Sequence, residues 1–197
     1  MAKNERNGSW FREAMSLPET GPALRRYFVN TMFDSTFAVL GIIIGSAMAF
    51  NADRGLVIAT IVTSCVALAI STGTSVYEAE SLEQSRRLDE IGRAMLRPVG
   101  ETNLGKASKT SAAIIALLNS LAPLMTGAII VSPFLLLEED SLMAAAETAI
   151  VLAIALLFVT GFIMGRLSDK NPWWKGLRMA LVGLAAFVIC YLISGVV

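Results

Sequence analysis

GLVIATIVTSCVALAISTGTSVY, residues 55–77, carries no charged side chain and no proline. It exceeds the roughly 20 apolar residues that an α-helix needs to cross about 30 Å of hydrocarbon. Four further segments meet the same criterion: Tyr27–Phe50 on its N-terminal side, then Ser111–Leu137, Leu142–Leu167 and Trp174–Val197. Polar punctuation separates them. Asn51-Ala52-Asp53-Arg54-Gly55 reads as a tight turn, Glu138-Glu139-Asp140 as an acidic turn, and Asp169-Lys170-Asn171-Pro172 as a stop signal. The expectation is an all-α integral membrane protein of five transmembrane helices.

Orientation follows from the placement of Lys and Arg. The arm 1–26 holds Lys3, Arg6, Arg12, Arg25 and Arg26, the connection 78–110 holds Arg86, Arg87, Arg93, Arg97, Lys106 and Lys109, and Arg166, Lys170, Lys175 and Arg178 flank the fourth connection. Arg54 alone lies on the other side. The positive-inside rule then predicts a cytoplasmic N-terminus. Trp173 and Trp174 fall where an interfacial aromatic belt is expected. The first apolar segment is too long for a signal-peptide core, so no cleaved leader is expected and the chain reads as a multi-pass protein of the cell membrane. Trp10, Phe11, Met15 and Leu17 among the charges of the arm suit a short amphipathic helix on the membrane surface, set off from the first span by Pro18 and Pro22, or a disordered tail.

Composition narrows the chemistry. Hydrophobic residues make up 55% of the 197 and charged residues 16%, and the 16 Lys and Arg balance the 16 Asp and Glu, so no net field draws the chain to nucleic acid. Histidine is absent. That removes the most frequent general base and transition-metal ligand, and leaves a membrane enzyme without a recognisable nucleophile and base. Cys65 and Cys190 lie inside apolar stretches and read as core thiols.

The informative residues are polar ones at membrane depth. Asp34 lies eight positions beyond Arg26, roughly 12 Å along a helix. A carboxylate there marks a functional site or pairs with a snorkelling Arg25 or Arg26. Its neighbours Asn30, Thr31, Ser35 and Thr36 make this half of the span polar. Glu147 suits either a second point on the same path or a snorkelling surface residue. Asn119 precedes Pro123 in the third span, with Pro133 further on. Proline frees a backbone carbonyl, which beside an Asn can meet a cation or can simply accompany a kink. Met125, with Met32, Met48, Met143, Met164 and Met179, offers a soft ligand or core filler. Gly41 with Gly45 and Gly161 with Gly165 are both G-x-x-x-G pairs that allow close helix contact.

The second helix is expected to leave the membrane without stopping after Tyr77. Glu83–Arg87, Arg86–Glu90 and Asp89–Arg93 are i,i+4 pairs, and Leu88, Ile91 and Met95 form an apolar stripe that can pack on a neighbour. Glu78, Glu80 and Glu83 have no cation before Arg86. Such a cluster at a pore mouth concentrates cations and can bind hard divalent ions.

Phe33-Asp34-Ser35-Thr36-Phe37-Ala38-Val39-Leu40-Gly41, Ser71-Thr72-Gly73-Thr74-Ser75-Val76-Tyr77-Glu78-Ala79-Glu80 and Ile129-Ile130-Val131-Ser132-Pro133-Phe134, together with the topology, resemble the vacuolar iron transporter family over nearly the whole chain from Arg25. The resemblance implies a homodimer in the lipid bilayer that moves Fe2+ or Mn2+ out of the cytosol in exchange for protons, with the metal as cargo and no cofactor. It matches Asp34 to the acidic residue of the path and places Glu78, Glu80, Glu83 and Glu90 in the cytosolic metal-binding region; Asn119, Met125 and Glu147 are further path candidates. Eukaryotic-type members carry a Met and a Glu around the glycine that matches Gly73, whereas the nearby positions here are Ile70 and Thr74, and the cytosolic segment is shorter than theirs, as in a compact prokaryotic branch. The competing reading is a non-transporting scaffold or accessory subunit in which Asp34 pairs with a partner's cation.

Overall fold

The computed structural model describes residues 18, 20–47, 52–97, 100, 102–137, 142–168 and 171–194. The N-terminal arm before Pro18, the acidic turn 138–140 and the Asp169–Lys170 pair lie outside them. Among the described residues there are five helices and no strand: α1 (Thr20–Ala47), α2 (Arg54–Ala94), α3 (Asn103–Leu136), α4 (Leu142–Leu167) and α5 (Pro172–Ser194). All five are long and apolar enough to cross a membrane.

Helix boundaries show local chemistry at work. α1 begins at Thr20, so Pro22 does not separate an arm from the span; it sits in the first helical turn, where a missing N–H leaves no helical bond unmade. Asp53 caps α2 by accepting the Leu56 N–H on Oδ2 at 2.8 Å. α2 then runs unbroken for 41 residues, passing Tyr77 as the sequence predicts. It closes where Leu96 takes a left-handed conformation, φ 53°, and the Arg97 N–H returns to the Gly92 carbonyl at 3.0 Å. α3 starts at Asn103 and carries both Pro123 and Pro133 within one helix.

The chain divides into two compact units. The first combines residues up to Phe28 with Ile70–Leu121. Its apolar core is small, with Val76, Ile115 and Ala116 buried and Ala23, Leu24 and Tyr27 packed against them. Hydrophilic contacts add to it: Thr20 Oγ1 meets Ser111 Oγ at 2.7 Å, and the Ser108 hydroxyl donates to Gln84 Oε1. α2 packs here through Val76, Glu80, Gln84 and Leu88, spaced four residues apart and all buried. The expected stripe of Leu88, Ile91 and Met95 is therefore only partly right. Ile91 and Met95 are exposed, because the packing line set by Val76 continues at i+4 through two polar residues.

The second unit combines Val29–Ala69 with Ala122–Val197. Its core runs through Val39, Leu40, Ile43 and Ile44 of α1, Val57, Ile61 and Cys65 of α2, Ile130 and Phe134 of α3, and Ala145, Ala149 and Ala153 of α4. The alanines matter because, without a hydrophobic drive between helices in lipid, close approach and dispersion hold spans together. Gly127 provides such an approach: a Cβ there would lie 2.6 Å from Cys65 Sγ. α5 packs on α4 by the same means. A Cβ at Gly161 would stand 2.9 Å from the Met179 side chain, at Gly165 2.6 Å from Pro172 Cα, at Gly176 3.0 Å from the Phe158 carbonyl, and at Gly183 would overlap Leu157 Cδ1. Phe158, Phe162 and Trp173 close the same seam, Phe162 meeting Trp173 edge-on at 5.3 Å. At the other end of the unit, the Arg54 guanidinium donates to the Phe134 and Leu137 carbonyls at 2.7 and 2.6 Å, capping the C-terminus of α3.

Candidate transport site

The polar half of α1 splits between two faces. Thr31, Ser35 and Thr36 are buried. Ser35 Oγ bonds the Thr31 carbonyl at 2.8 Å and Thr126 Oγ1 of α3 at 3.1 Å, and Thr36 Oγ1 bonds the Met32 carbonyl at 2.6 Å, so these hydroxyls are fully engaged inside the unit. Asn30 and Asp34 point the other way and are exposed. Arg25 and Arg26 are engaged elsewhere: Arg25 Nε donates to the Gly21 carbonyl at 3.2 Å, and the Arg26 guanidinium lies 5.1 Å from the Tyr27 ring centroid.

Asp34 shares its face with two glycines. At 100° per residue, Asn30, Asp34, Gly41 and Gly45 project within a narrow sector of α1. A Cβ added at Gly41 or Gly45 would meet nothing within 4 Å among the described residues. The two G-x-x-x-G pairs are thus different in kind: Gly161 and Gly165 are occupied by α5, while Gly41 and Gly45 lie open beside a membrane-depth carboxylate.

The glutamates of α2 separate as well. Glu80 is 5% exposed and faces the Tyr27 phenol. Glu78, Glu83 and Glu90 are exposed. Glu83 pairs with Arg87 at 3.3 Å, closing one of the expected i,i+4 pairs. Glu83 and Glu90 share a face but stand about 10 Å apart along the axis, too far to hold one ion, and Glu78 projects roughly 200° from Glu80. Among the described residues, no three His, Cys, Asp or Glu side chains come close enough to hold a metal ion.

The remaining path candidates occupy unlike surroundings. Met125 and Glu147 are exposed, whereas Asn119 is fully buried with neither amide atom hydrogen-bonded. Sequence reasoning missed the Gln84–Ser108 contact and the Arg54 cap. The first could be found by extending the i+4 line from Val76. The second had only a weak signal, a lone cation in a turn facing a helix end 80 residues later in the chain.

Five helices long and apolar enough to cross a membrane define a multi-pass membrane protein. Residues 83–195 match the VIT family, and the chain belongs to this family of vacuolar iron transporters. It is also 26% identical over 177 residues to an uncharacterized protein of Methanocaldococcus jannaschii, an alignment that covers 88% of this chain and 90% of that protein.

Proposed function

We propose that this protein exports Fe2+ or Mn2+ from the cytosol in exchange for protons, as a homodimer in the cell membrane whose two copies meet along the Asp34–Gly41–Gly45 face of α1. The observation that carries this reading is the exposed Asp34 in a membrane-spanning helix, beside glycines that leave room for a second helix. A carboxylate facing lipid is disfavoured by about 2.5–3.5 kcal/mol on insertion scales, so a lone chain in hydrocarbon is an unfavourable state. A second copy removes Asp34 from lipid and brings two carboxylates together. Two adjacent carboxylates favour a divalent cation when ionised and retain a proton when the cation leaves, which is competition for one site and hence exchange.

Family membership supports metal-ion transport in general terms. Iron or manganese as cargo, export and proton exchange belong to the proposal. In it, Glu78, Glu83 and Glu90 attract cations to the cytosolic mouth as exposed carboxylates along α2. Met125 and Glu147, both exposed, are further points on the path between copies.

Uptake into proteoliposomes with an internal pH dye tests the reading. The parent is expected to move Fe2+ and Mn2+ with an opposing proton flux, and Asp34→Asn to abolish both while the protein remains folded and dimeric. No flux in the parent would overturn transport of these ions. Flux in a strictly monomeric preparation would overturn the shared path.

A further inference from the structure

Asn119 is the one residue among the described ones whose side-chain donor and acceptor are both buried and both without a partner. It is 0% exposed, on the buried face of α3, one turn beyond Ile115 and Ala116. The same residue's carbonyl lacks its regular helical donor, because Pro123, four residues later, has no N–H. An unpartnered amide nitrogen and amide oxygen thus sit beside a carbonyl that lacks its helical donor, inside a membrane span where lipid offers no substitute partner.

We infer that the Asn119 side chain and its backbone carbonyl hold bound water within α3. The chemistry selects water over a metal ion. A cation could use the two oxygens but would leave Nδ2 without an acceptor. Water accepts from Nδ2 and donates to the oxygens, supplying the two to four partners that a buried water requires. The buried acidic residue of the same unit, Glu80, lies seven residues along α2 from Gly73, which abuts Ser120, so it stands about 10 Å from the level of Asn119 along the helix axis, too far to neutralise an ion there. Immobilising one water is a smaller penalty than leaving an amide unpartnered in an apolar interior. Helix packing keeps the site enclosed. Gly73 of α2 passes so near α3 that a Cβ there would stand 3.2 Å from Ser120 Cβ, at the residue next to Asn119.

X-ray hydroxyl-radical labelling of the full chain in nanodiscs reads buried water directly, because radicals form in place from water already bound. Ile115 is 0% exposed and out of reach of bulk radicals. It is expected to take up label in the parent, with exposed Trp173 and Trp174 as references, and to lose that label several-fold in Asn119→Leu. Asn119→Ser, which keeps a hydroxyl and leaves room, is expected to retain it. Three results would overturn the inference: an unlabelled Ile115 in the parent, equal labelling in Asn119→Leu, or parent label abolished by saturating Mn2+, which would make the occupant an ion. The parent measurement decides the matter even if Asn119→Leu fails to fold, since it requires no variant.

Discussion

Replacing Gly165 by Ala and Gly41 by Ala adds the same methyl group to two membrane helices with opposite consequences. At Gly165 the new Cβ would be placed 2.6 Å from Pro172 Cα, a backbone atom that cannot rotate away, so α4 and α5 must separate by about an ångström to restore ordinary contact. At Gly41 it meets none of the described residues within 4 Å. Both substitutions gain the ~1 kcal/mol by which Ala exceeds Gly in a helix, and this term cancels in the comparison. What remains is the overpacking penalty of about 1–3 kcal/mol, toward the upper end because the obstruction is backbone. Gly165→Ala should therefore be less stable than Gly41→Ala by ~2 kcal/mol. Reversible unfolding in mixed micelles, at protein concentrations low enough to keep chains apart, measures the difference. Equal stabilities would refute the close approach of α5 to α4. The order should reverse for association: Gly41→Leu with Gly45→Leu is expected to reduce the cross-linked dimer in vesicles while leaving the stability of the single chain intact.

Arg54→Met keeps the aliphatic stem but loses the bonds to the Phe134 and Leu137 carbonyls, and should lower unfolding stability by ~2 kcal/mol in the same assay, with no loss if the cap is dispensable. Ser108→Ala leaves the buried Gln84 amide unpartnered at a cost of about 1–3 kcal/mol, whereas Ser108→Ala with Gln84→Leu should be less harmful than the sum of the single changes; an additive double-mutant cycle would mean that the pair is not coupled. Glu80→Ala, at a buried position facing Tyr27, should destabilise by ~1–3 kcal/mol, while Glu78→Gln and Glu90→Gln, both exposed, should stay within about 0.5 kcal/mol of the parent in a denaturation series.

Much of the fold was legible because the bilayer imposes one long-wavelength rule. A span must be long, apolar and internally hydrogen-bonded, and five segments satisfy this regardless of how they pack. The continuation of α2 past Tyr77 was equally readable, since charged i,i+4 spacing with no Gly or Pro is a local signal. What failed was local in a different sense. Pro22 looks like a breaker, yet a proline is harmless in a first turn. Ile91 and Met95 look like a packing stripe, yet the buried line had already been set by Val76 and runs through Glu80 and Gln84. A hydrophobicity pattern cannot show that a helix will bury two polar residues when a serine across from one of them supplies a partner.

The candidate site shows why adjacency in sequence is a poor guide to adjacency in space. Glu78, Glu80 and Glu83 read as a cluster, but 100° per residue disperses them around α2, one into the packed face and two toward solvent. Asp34 and Ser35 are neighbours in the chain, and one faces outward while the other bonds Thr126. The two G-x-x-x-G pairs are indistinguishable as strings; only the presence of α5 over Gly161 and Gly165, and of no described residue over Gly41 and Gly45, separates an internal seam from an open one. Placing the open seam on the helix that also exposes a carboxylate joins two unfavourable features of the single chain. Lipid is a poor solvent for Asp34 and fills poorly against bare glycine backbone, and the proposed association relieves both at one surface. Neither feature requires the other for folding, so the association face and the acidic point of the path can be separated experimentally: the Gly41 and Gly45 substitutions act on assembly, and Asp34→Asn acts on charge without adding bulk.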